Sequence, residues 1–90
     1  MKIVANIQPF VIPQTFQIIN ENSNAVEAEF STTLDKMEED ITAQADRYGI
    51  TDIYLHGDEG FLDKMQKDIM RYGMTKYNNS LEVHIIWVQD

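Results

Sequence analysis

His56-Gly57-Asp58-Glu59-Gly60 places an imidazole and two carboxylates within five residues, with glycines at 57 and 60. His56 and Asp58 have the donor atoms to hold a divalent cation, and His56 alone has the chemistry of a general base. With Glu39 from an upstream helix as a third ligand, they are the metal candidates for a hydrolase or nuclease. The same residues answer a plainer need. Asp58 or Glu59 would cap a helix, and the glycines would permit the turn before it. An anion at that helix start would meet two negative charges, which offsets the helix dipole. The chain has no His-x-x-x-His, His-Glu-x-x-His or calcium-loop spacing and no Gly-x-Ser-x-Gly. The usual glycine-rich nucleotide loops are also missing. No cofactor is expected, and catalysis is the alternative rather than the leading expectation.

Other residues suggest binding. Glu38-Glu39-Asp40, with Asp35 and Asp46, outweigh Lys36 and Arg47 to give residues 32–48 a net charge of −3. A solvated face explains such a run, and so does a surface that meets a basic partner. Phe10-Val11-Ile12, between Pro9 and Pro13, would be a docking patch if exposed. Trp87 would be core or the anchor of a self-association surface. His84 alternates with Val83 and Ile85, shares a face with Glu82 and Ile86, and is expected to be partly buried and hydrogen-bonded.

Fifteen acidic against seven basic side chains give a net charge of −8 over 90 residues. That argues against direct binding of nucleic acid or of an anionic membrane, both of which call for a Lys/Arg surface. With no cysteine, thiol catalysis and Cys-based zinc or iron–sulfur sites are excluded. Ile3-Val4-Ala5 is interrupted by Asn6, Gln8 and Pro9, too soon for a signal peptide or a membrane span. A cytoplasmic protein is the expectation.

The elements that must position these residues can be read from periodicity. Leu34, Met37, Ile41, Ala45 and Tyr48 form one apolar helical stripe, starting at a Thr32 or Thr33 cap and closing at Gly49. Phe61, Leu62, Met65, Ile69 and Tyr72 form a second, from Asp58 or Glu59 to Gly73. Both close alike, Arg47-Tyr48-Gly49-Ile50-Thr51 and Arg71-Tyr72-Gly73-Met74-Thr75, 24 residues apart. Residues 50–56 and 81–88 follow as strands, the first with an apolar run suited to cover on both faces. Ile3 to Ile7, Thr15 to Ile19 and Val26 to Phe30 alternate as strands, with Asn20 to Asn24 as a hairpin turn. The sum is one α/β domain over residues 1–90, β-β-β-α-β-α-β, with a mixed sheet carrying two helices.

That order resembles the RNase H-like fold, a three-stranded meander extended by two α-β units. The resemblance covers nearly the whole chain. The nuclease members of that superfamily take acidic metal ligands from the first strand, the first helix and the end of the fourth strand. Here Asn6 stands on the first strand, Glu38 or Glu39 on the helix and Asp58 after the fourth strand, so the acidic set is incomplete. The resemblance therefore implies the scaffold without the nuclease activity. The function expected is a small, acidic, non-catalytic binding or accessory module, of the kind found among phage-type proteins, inhibiting a basic nucleic-acid-handling protein. Its interaction residues would be Glu38, Glu39, Asp40, Phe10, Val11, Ile12 and Trp87. The alternatives are the metal-dependent hydrolase and a structural subunit of a homo-oligomer, a homodimer in the simplest case.

Overall fold

A computed structural model describes residues 1–8 and 12–87, the last without the Trp87 side chain. Phe10 and Val11 lie outside the described residues. The element order is β1 (Lys2–Asn6), β2 (Gln14–Ile19), β3 (Val26–Thr32), α1 (Met37–Tyr48), β4 (Asp52–Gly57), α2 (Glu59–Tyr77) and β5 (Glu82–Trp87). The β-β-β-α-β-α-β order expected from the sequence is therefore present. The five strands form one mixed sheet in the order β3-β2-β1-β4-β5. β1 pairs antiparallel with β2 and parallel with β4, and β5 runs parallel to β4.

Both helical connections move across the sheet in the same direction, from β3 to β4 and from β4 to β5. Crossovers of one hand moving one way place their helices on one face. The burial pattern agrees. Ile3 and Ala5 of β1, Ile7 just after it, Phe16 and Ile18 of β2, and Ile53 and Leu55 of β4 are buried beside Met37, Ile41 and Ala45 of α1 and Leu62 and Ile69 of α2. Each of the Ile, Leu, Phe and Met side chains among them contributes about 1.5–3 kcal/mol by leaving water. Phe30 of the edge strand β3 stacks on Phe16 with centroids 5.1 Å apart.

The alternate residues form the opposite face, which no described element covers. Lys2, Val4, Gln17, Ile19, Asp52, Tyr54, His56 and His84 are half-buried there, and Glu82 and Ile86 are exposed. The expectation that β4 is covered on both faces is therefore corrected. Its Tyr54 alternates out of the core because the one-way crossovers leave that side bare.

Two helix ends also differ from the sequence reading. α1 begins at Met37 rather than after Thr32 or Thr33. Thr32 ends β3 and donates to the Asp40 carboxylate, while Thr33 donates to Asp35. α2 runs past Gly73 to Tyr77 and closes on Asn78 in the left-handed conformation. Among the described residues no helix is long and apolar enough to cross a membrane.

Candidate functional site

The uncovered face gathers its chemistry at the N-terminal ends of β4 and β5. The parallel register sets Asp52 opposite Glu82 and Tyr54 opposite His84. The Glu82 N–H donates to the Thr51 carbonyl at 2.7 Å, which fixes where the two strands start relative to each other. From this register His84 reaches diagonally back, so that its Nε2 lies 3.3 Å from Asp52 Oδ1 and 3.9 Å from Glu82 Oε2. Among the described residues, this is the trio of His, Asp and Glu whose ligand atoms all fall within 4.8 Å of one another.

Neighbouring strands hold the imidazole from the side. The Tyr54 ring stacks on His84 at 4.6 Å between centroids and 17° between planes. From β1, on the other side of β4, the Lys2 ammonium lies 5.2 Å from the Tyr54 centroid. Lys2 pairs in register with Asp52. The array thus runs ammonium, phenol ring, imidazole across three strands, with two carboxylates at its strand-start end. An aromatic pair of this kind contributes about 0.5–1.5 kcal/mol beyond its buried area, and an exposed cation over a ring about 0.5–1 kcal/mol. These contacts orient His84 without enclosing it, and its side chain remains 42% exposed.

His56 and Asp58 lie elsewhere. His56 is four residues along β4 from Asp52, about 13 Å at the rise of a strand. Its carbonyl accepts from the Ile7 N–H at 2.8 Å. Asp58 caps α2, its Oδ1 accepting from the Phe61 N–H at 3.1 Å. Glu39 is exposed on α1. Among the described residues, none of these three belongs to a trio drawn within ligand reach. Of the three positions that the RNase H-like resemblance points to, Asn6 carries no carboxylate, Glu38 and Glu39 lie on α1, and Asp58 is engaged as the cap of α2.

The other interaction candidates are dispersed. Glu38 is half-buried beside a shallow groove of about 200 Å³ between α1 and α2, while the Asp40 carboxylate is engaged by Thr32. Ile12 is 71% exposed. Trp87 pairs through its backbone with Gly57 at the end of β5.

Asp52 and Glu82 were not singled out by local sequence reading. The signal that could have found them is an aligned pattern on two strands, Asp52-Ile53-Tyr54 and Glu82-Val83-His84. Each is acid, aliphatic, ring, and parallel pairing puts like beside like. No protein-family model, curated protein or solved structure matches this chain.

Proposed function

We propose that this chain is a small, non-catalytic binding module on an RNase H-like scaffold, and that it engages a basic, nucleic-acid-handling protein in the cytoplasm. The observation that carries this reading is the helix-free sheet face. It presents the Tyr54–His84 stack and the apolar Val4, Ile19 and Ile86, with Asp52, Glu82, Glu27 and Glu29 around them. Ring-rich centres with polar rims are the anatomy of protein interfaces, and a net charge of −8 favours a cationic partner and speeds encounter with it. A shallow depression of about 360 Å³ beside Val4, Asn6 and Gln17 extends the same surface.

The test is capture of a basic protein on the immobilised chain, followed by competition. Duplex DNA should release the captured protein, and Tyr54→Ala should weaken its binding by about thirtyfold, the loss of a 2 kcal/mol anchor. Binding indifferent to both would reject the reading. A second reading, the structural subunit, draws support from β5, whose outer edge pairs with no described strand. Such an edge is a template for another chain. Light scattering across concentration separates the two, since a strict monomer speaks against assembly.

A further inference from the structure

We propose that Asp52, Glu82 and His84 bind one divalent cation of the zinc type at the N-terminal ends of β4 and β5. This goes beyond the binding-module reading and does not depend on it.

Three observations converge on the assignment. The first is spacing. A tetrahedral zinc ion with nitrogen and oxygen ligands about 2.0–2.2 Å away separates those ligands by about 3.4 Å. His84 Nε2 and Asp52 Oδ1 already stand 3.3 Å apart. Glu82 Oε2, at 3.9 Å from the same nitrogen, needs to close by about half an ångström to match that tetrahedral spacing. Its side chain is 73% exposed and free to do so.

The second is placement. Asp52 and Glu82 face each other directly across a parallel pair, and with His84 their ligand atoms all lie within 4.8 Å of one another.

The third is ligand type. One imidazole and two carboxylates suit zinc, whereas magnesium and calcium prefer shells made of oxygen. Three protein ligands leave a fourth position for water or for a donor from another molecule. Tyr54 acts as a positioning residue, because its stack sets the plane of the His84 ring. Lys2 works against the ion. Its ammonium lies over Tyr54 and beside Asp52 in register, so Lys2→Gln should tighten binding.

The experiment titrates the whole chain with zinc chloride by calorimetry, with magnesium chloride in parallel. The expected result is one zinc per chain and no saturable magnesium uptake. His84→Ala should weaken zinc by more than about tenfold, the lower end of what disturbing even an outer partner costs. The chain has two histidines, so imidazole resonances give an internal control. His84 should shift with zinc and His56 should not. Should His84→Ala lose its cooperative unfolding transition, Asp52→Asn, which keeps the side-chain shape, takes its place with the same expected loss. Absent saturable zinc uptake by the natural chain, unchanged affinity in the substituted chain, or a shift confined to His56 would each overturn the assignment.

Discussion

Arg47-Tyr48-Gly49 and Arg71-Tyr72-Gly73 are the same tripeptide near the ends of two helices that dock on one sheet face, yet the fold uses them differently. Gly49 stops α1. It adopts φ 66°, its N–H donates to the Asp46 carbonyl, and Ile50 N–H donates to Ala45 at 2.8 Å. That pair of bonds is the left-handed closure that glycine favours. Gly73 stops nothing. It is buried inside α2, where a Cβ would come within 2.6 Å of Leu81 Cδ1 and 3.3 Å of the Asn79 carbonyl oxygen. The arginines diverge as well. Arg47 lies over the Tyr48 ring at 5.6 Å, whereas Arg71 reaches back to Asp68 at 2.9 Å. One glycine is required for its backbone angle and the other for the room it leaves.

The sharpest way to break this contrast is Gly73→Ala. Inside a helix alanine is ordinarily worth about 1 kcal/mol over glycine, but forcing a methyl against Leu81 costs about 1–3 kcal/mol. Leu81 is itself buried and has little freedom to retreat. With the clash therefore near the upper end of that range, about 2–3 kcal/mol, the net expectation is a loss of about 1–2 kcal/mol, or roughly 10 °C in Tm for a domain this size. Combined with Leu81→Ala, the loss should fall short of the sum of the single losses by at least about 0.5 kcal/mol. Denaturant unfolding of the four chains measures this. A stabilised Gly73→Ala protein would mean that propensity governs the site and packing does not.

Gly49→Ala should also destabilise, but for the other reason. Nothing lies within 4 Å of the Cβ it lacks, so only the positive φ matters. Gly49→Ala should cost about 1 kcal/mol, and Gly49→Asn should recover most of it, since Asn tolerates the left-handed region. Asn already does so at 78, the residue that closes α2. Asn at position 73 should bring no such recovery. Thermal unfolding of Gly49→Ala, Gly49→Asn and Gly73→Asn distinguishes the two roles, and recovery by Asn at both positions would erase the distinction.

The same contrast explains what was legible in the sequence. Alternation along Ile3 to Ile7 and from Ala28 to Phe30, and the stripes through Ile41, Ala45, Leu62 and Ile69, reflect burial on one face, whereas Val26 at the start of β3 is exposed. They gave the order of elements because burial is a local pattern. The end of α2 was hidden because Gly73, a closing residue by type, instead makes room for Leu81, eight residues further on, and Asn78 replaces glycine as the cap. The start of α1 was hidden because Thr32 and Thr33, good caps by type, are spent on β3 and on a turn. The candidate site was hidden for a related reason. His56-Gly57-Asp58 is conspicuous along the chain, but Asp58 is used as a cap. Asp52, Glu82 and His84 meet only through the register of strands thirty residues apart, which no local window contains.

The helix starts extend the comparison to its smallest expected effect. α2 begins on the Asp58 cap, whereas α1 begins on Lys36 with no side-chain cap bond. In the turn before α1, Thr33 Oγ1 donates to the exposed Asp35 carboxylate at 2.5 Å. That bond, then the Asp35 backbone N–H and the Lys36 charge, hold the Asp35 carboxyl below its ordinary value of 3.8. A carboxyl that ionises more readily in the fold lends stability above its unfolded pKa, and that contribution fades as pH falls through the folded value. Because Asp35 is open to water, the contribution is slight and the titration itself is the better measurement. Thr33→Val removes the principal donor, so the Asp35 carboxyl should titrate closer to its ordinary value when followed by side-chain carboxyl NMR, with α1 intact. An unchanged Asp35 titration would transfer the effect to the backbone N–H and Lys36. The turn before α1 would then owe nothing to the threonine that its sequence offers as a cap.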